Sequence, residues 1–194
     1  MLGQFNKSIL FAVALVASPF FAHADENQHV APITEYVKEK VLPWLKSPEV
    51  INAIKEQNAK TASLSESDII SQDKKWRAEV DAAAKPMIDG ILKNKLSAFL
   101  QGKKEEAQGM ITEMFVMDAK GLNVGQSDVT SDYWQGDEAK WQKTFKVGAN
   151  TIFVDKVEKD ESTQTFQAQV SVTVADETGK AIGAITLGIN VDML

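Results

Sequence analysis

An α+β fold is predicted for this chain of 194 residues, and three observations predict it. Residues 33–100 carry apolar side chains at helical spacing. After Gly109 the period switches to two, with Phe166, Ala168, Val170, Val172 and Val174 alternating with Gln167, Gln169, Ser171 and Thr173. Turn signals then divide the second half into about five short strands. Helices followed by a run of antiparallel strands define the α+β class.

The leader comes first. Residues 1–24 hold one charge, Lys7, an apolar run over residues 9–17, Pro19 and a closing Ala22-His23-Ala24. These are the parts of a secretory signal peptide cleaved after Ala24. Nine apolar residues before a proline fall short of the roughly 20 that a membrane helix needs. No later stretch is long or apolar enough, and no cysteine is present to carry a lipid. The expectation is a soluble protein exported to a bacterial periplasm.

The helical part divides at its prolines. Val37, Val41 and Leu45 share a face, interrupted by Pro43 and Pro48, and a second short helix carries Val50, Ile51 and Ile54. These make an N-terminal helical segment, residues 25–64. Ser65 or Ser67 is the expected N-cap of the next helix, with Glu66 and Asp68 near its positive end. Ile69, Trp76, Val80, Ala83, Met87, Ile91, Leu92, Leu96, Phe99 and Leu100 predict one long amphipathic helix, bent at Pro86 and ended at Gly102. Residues 65–194 form a single domain. Strands are expected at 111–117, 122–126, 151–157, 166–174 and 181–191, with a short helix over 134–145. Asp118 and Asp176 open turns that Gly121 and Gly179 complete.

Composition excludes several functions. There are 21 basic and 27 acidic residues, net −6, which leaves no dense basic surface for nucleic acid. Without cysteine there is no disulfide framework, thiolate metal site or cysteine nucleophile. Beyond the leader the only histidine is His29, in the N-terminal tail, so histidine-based catalysis and metal ligation are not expected. Phosphate- and dinucleotide-binding loops and a nucleophile elbow are absent. The acids Asp155, Glu158, Asp160 and Glu161 lack calcium-loop spacing. No enzyme, cofactor or metal is expected.

The segment 113–122 (Glu-Met-Phe-Val-Met-Asp-Ala-Lys-Gly-Leu), then 131–136 (Ser-Asp-Tyr-Trp-Gln-Gly), then Gly179, Gly183 and Gly188, resembles the extracytoplasmic Cache domains, also called PDC domains. These PAS-like sensors form outer parts of bacterial chemoreceptors, histidine kinases and diguanylate cyclases. The resemblance covers residues 65–194. It implies a five-stranded antiparallel sheet with long helices on one face and a small-molecule pocket on the other, and ligands that are small carboxylates or amino acids. With no membrane span expected, the chain would report its ligand to a separate membrane partner in signal transduction or chemotaxis.

Candidate ligand residues follow from side-chain chemistry. Arg77 is the only arginine beside 20 lysines. A planar guanidinium grips a carboxylate through two parallel bonds, which lysine cannot do. Arg77 and its neighbour Trp76 are therefore candidates, against a structural salt bridge to Glu79, Asp81 or a strand carboxylate. Asp132, Tyr133 and Trp134 offer a carboxylate, a phenol and an indole that can enclose a ligand, or pin the following helix to the sheet. Ser171 and Thr173 complete the set, with Thr186 and the small Gly188 beside them leaving room. The alternative function is a ligand-free interaction protein whose helical half docks on a partner or forms a homodimer.

Overall fold

The computed structural model describes residues 27–159 and 165–194. The predicted leader and part of the 155–161 acidic cluster lie outside them. Five strands, β1 (Ile111–Met117), β2 (Asn123–Gln126), β3 (Ile152–Lys159), β4 (Phe166–Ala175) and β5 (Ala181–Asn190), form one antiparallel sheet in the order β2-β1-β5-β4-β3. This is the α+β, PAS-like arrangement that the resemblance implies.

Helices cover one face. α1 (Val30–Tyr36) runs through a π-helical turn, Val37–Val41, into α2 (Leu42–Leu45), and α3 (Pro48–Thr61) follows. Pro43 has no N–H for the carbonyl four residues back, so the ladder widens just before it. Ile33, Val37, Val41, Leu45, Val50 and Ile54 pack with Met114, Val116, Val170, Val172, Ile185 and Leu187 in one buried core. Burying each such side chain contributes about 1.5–3 kcal/mol. The apolar stripe of the N-terminal helices is thus spent on the sheet. His29 is docked rather than loose: its Nε2 lies 2.8 Å from the Asp155 carbonyl on β3.

The single long helix is corrected. The chain forms α4 (Glu66–Val80), α5 (Pro86–Leu92) and α6 (Lys95–Glu106). Ser65 caps α4 in a reciprocal box with Asp68. Pro86 does more than bend the chain: Lys85 before it leaves helical geometry at φ −127°, ψ 54°, and α5 starts afresh. Glu79 of α4 stays buried and accepts from the N–H groups of Met87 and Ile88 at 2.7 and 3.1 Å, capping α5. Asn94 caps α6, which runs through Gly102. The helix expected over 134–145 shrinks to α7 (Ala139–Gln142), because Trp134 pairs in an antiparallel bridge with Leu122. Gly136 then passes so close to Lys120 O and the Trp134 indole that a Cβ would collide with both.

The second face of the sheet lies beneath the 127–150 segment. Register places Gln126, Phe115, Thr186, Ser171 and Phe153 in one row across it, and Asn123, Met117, Ala184 and Thr173 in the next. Trp141, stacked on Phe145 at 5.2 Å, packs on Phe115, Met117 and Ala184.

Candidate functional site

Five of the seven predicted residues meet at the β2 end of the molecule. Trp76 is fully buried, donates its indole N–H to Thr130 O at 2.9 Å and stacks on Tyr133 at 5.5 Å. Arg77 follows on α4, its side chain 54% exposed. Its Nε donates to Asp73 Oδ2 at 2.7 Å and its Nη2 to Asp132 Oδ2 at 3.1 Å. The fork suited to a ligand carboxylate is held by two acids of the chain itself, and neither is Glu79 or Asp81. These two partners hold the guanidinium charged and raise its pKa, the hydrogen bond that Arg77 donates to Asp73 contributing most.

Asp73 is the residue that sequence reasoning missed. Its Oδ1 accepts from the backbone N–H groups of Tyr133 and Trp134 at 2.9 and 3.1 Å. One carboxylate thus ties α4 to the 132–134 segment, and its i, i+4 spacing to the lone arginine was the available signal. Trp134 donates its indole N–H to Lys120 O at 2.9 Å. The Tyr133 hydroxyl accepts from Gln57 Nε2 at 3.0 Å, and burial pushes its pKa up to about 12.

Asp118 is more than a turn former. It is fully buried, and its carboxylate accepts from the Lys120 and Leu122 N–H groups and the Thr61 hydroxyl. Burial nevertheless outweighs those bonds and raises its pKa above the ordinary aspartate value.

Ser171 and Thr173 stand apart from the Arg77 cluster, on β4. Both are buried, and Ser171 and Thr186 share a hydrogen bond at 2.9 Å. Thr173 Oγ1, Gln126 Nε2 and Asn123 Oδ1 are buried with no partner among the described residues, and all three sit on this one face. Asn123 belongs with the Arg77 cluster, since its Nδ2 donates to Gln126 Oε1, Thr130 Oγ1 and Asp132 O. Asn123 and Gln126 lie three strand spacings, about 14 Å, from Thr173 and Ser171. The room expected above Gly188 is taken by Thr112, Gln167 and Glu113, which approach so closely that a Cβ would clash. A cavity of about 290 Å³ opens nearby, lined by Gln167 and Gln169 of β4, Lys140, Lys156 and the acids Glu138, Asp155 and Glu158. Among the described residues no cluster of His, Asp and Glu is arranged to hold a metal ion. None of the described helices is long and apolar enough to cross a membrane.

No family model and no curated protein matches the chain. Solved structures do. The sensor domain of the histidine kinase DctB from V. cholerae is similar at 12% identity over 84% of this chain and 50% of that one, with a TM-score of 0.46. The sensor domain of DcuS from E. coli is similar at 12% identity over 85% of this chain and 93% of that one, TM-score 0.47. The ligand-binding domain of the Campylobacter jejuni chemoreceptor Tlp3, in complex with 4-methylisoleucine, is similar at 16% identity over 76% of this chain and 62% of that one, TM-score 0.39. All three are sensor domains of the Cache/PDC type. The chain spans about half the length of the DctB structure it matches.

Proposed function

We propose that this chain is a periplasmic Cache-type sensor that binds a small carboxylate or amino acid on the polar face of its sheet. It reports to a separate membrane chemoreceptor, histidine kinase or diguanylate cyclase. The observation that carries this reading is the polar stripe of β4. Ser171 and Thr173, with Thr186 beside them, are roofed over rather than turned to water, and Thr173 Oγ1 has no partner among the described residues. An unpaired buried hydroxyl costs about 1–3 kcal/mol. A face that served only packing would be apolar there, like the opposite face of the same strand. The cavity at Gln167 and Gln169 offers entry; its lysines, Lys140 and Lys156, are paired with Glu138 and Glu158 at 2.7 Å, and a zwitterionic amino acid entering there would exchange with those pairs.

In this reading Arg77 acts through Asp132, keeping Tyr133 and Trp134 in place. The competing role for Arg77 is direct capture of the ligand carboxylate, and one experiment separates the two. Thermal unfolding is followed against a panel of carboxylates and amino acids, for the wild type, Ser171→Val, Thr173→Val and Arg77→Ala. A ligand at 100 times its Kd adds roughly 2.7 kcal/mol, which raises Tm by about 5 °C or more. Loss of the shift in the β4 variants supports the sheet-face site. Loss in Arg77→Ala alone assigns capture to the arginine, and a shift that survives all three variants refutes both.

A further inference from the structure

A second cavity lies on the helical face of the sheet, opposite the polar face of β4. It measures about 1000 Å³ and opens between α2, α3 and the ends of β3 and β4. That volume is at the upper end of the range for small-molecule pockets, roughly 300–1000 Å³. Its apolar lining is aliphatic: Leu42, Leu45, Ile51, Ile152, Val172 and Val174.

The charges at this cavity are unevenly engaged. Lys38, Lys46 and Lys55 line it together with Asp176 and Glu177. Glu177 already receives Lys55 Nζ on both oxygens at 2.7 Å. Asp176 Oδ1 accepts from the N–H groups of Thr178 and Lys180 and from the Thr178 hydroxyl, closing its own turn. Lys38 and Lys46 are exposed and have no ion pair among the described residues. In a chain of net charge −6, the charged side chains lining this cleft, three lysines against two acids, sum to +1.

We propose that the cavity binds an aliphatic monocarboxylate of medium chain length, with the hydrocarbon on the aliphatic lining and the carboxylate beside Lys38 and Lys46. Removing the hydrocarbon from water supplies the driving force, about 25 cal/mol for each Å² buried. The carboxylate remains at the hydrated rim, where it meets two ammonium groups without the penalty of burying a charge. The aliphatic lining favours a flexible chain over a flat aromatic acid. This site is separate from the sheet-face site: Thr173 borders both, but the aliphatic lining and the two lysines belong to the helical-face cavity alone.

The experiment is a titration of the isotopically labelled full chain with decanoate below its micelle concentration, followed in ¹⁵N–¹H spectra. Saturable shifts are expected at the amides of Leu45, Ile51 and Val174. The double variant Lys38→Glu, Lys46→Glu is expected to weaken decanoate at least tenfold while leaving the affinity for decanol unchanged. Leu42→Trp, which places an indole in the cleft, is expected to abolish binding, and the lysine pair decides the matter if that variant does not fold. Ser171→Val, on the far face, is expected to leave the titration unaltered. Absence of saturable shifts overturns the proposal. So do shifts confined to residues 113–117 and 167–171, an affinity indifferent to the lysines, or loss of decanoate binding in Ser171→Val.

Discussion

Replacing Asp73 with alanine tests how the 132–134 segment is held. The Asp73 residue is 8% exposed, and three N–H groups converge on its carboxylate. Two of them are backbone donors of Tyr133 and Trp134, with no freedom to turn elsewhere. The third is the Arg77 guanidinium, whose half-exposed side chain makes its share of the ion pair worth only about 0–1 kcal/mol. Hydrogen bonds to a charged acceptor contribute about 1.5–3 kcal/mol each, and a buried donor left unpaired costs about 1–3 kcal/mol. The two backbone bonds share one oxygen and do not add fully, so Asp73→Ala should cost about 3 kcal/mol. At roughly 2–4 °C per kcal/mol for a chain of this size, Tm should fall by about 6–12 °C. Arg77→Ala should cost about 1 kcal/mol, and so should Asp73→Asn, which keeps a carbonyl oxygen for both N–H groups. Urea unfolding followed by tryptophan fluorescence measures all three, with an unchanged m value as the check that compactness is preserved. If Asp73→Ala proves no costlier than Arg77→Ala, the backbone bonds are not what holds the segment. The charge pair would then have to carry that role.

Three further outcomes follow from the same structure. Because burial raises the folded-state pKa of Asp118 above its unfolded value, the folded protein binds that proton more readily; wild-type stability relative to Asp118→Asn should therefore rise as pH falls from neutral through that raised pKa, and pH-dependent urea midpoints check the sign. Tyr133 should ionise only near pH 12, so the late component of a spectrophotometric titration should vanish in Tyr133→Phe, and its appearance near pH 10 would contradict the burial of that phenol. Gly102→Ala, in the interior of α6 with nothing within 4 Å of the new Cβ, should stabilise by about 0.8–1 kcal/mol. Gly183→Ala should instead destabilise by about 1–3 kcal/mol, since its Cβ would collide with Met117 O, and thermal melts of the pair give opposite signs.

What the sequence disclosed and what it withheld divide along a physical line. β4 was legible because alternation is a local property: Phe166 to Val174 state both the strand and its two unlike faces in nine consecutive residues. The Asp118 and Asp176 turns were legible for the same reason, each closing within four residues on a glycine of positive φ. Pro86 was visible as a disturbance, but a break rather than a bend depended on Glu79 supplying a buried acceptor to α5 across the gap. The gathering of Trp76, Arg77, Asp132, Tyr133 and Trp134 could be suspected from their chemistry. Their mutual geometry rests on Asp73, whose bonds to Tyr133 and Trp134 span about sixty residues of sequence. Asn123 and Gln126 escaped notice because polar residues on a four-residue strand look like an edge facing water; only the 127–150 segment folding over β2 buries them. Local regularity therefore fixes which side chains share a face, while long-range closure determines which of those faces stays dry. Where polar atoms are closed in without partners, as Thr173 Oγ1, Gln126 Nε2 and Asn123 Oδ1 are among the described residues, packing alone gives no reason for their polarity, and a bound molecule or ordered water does.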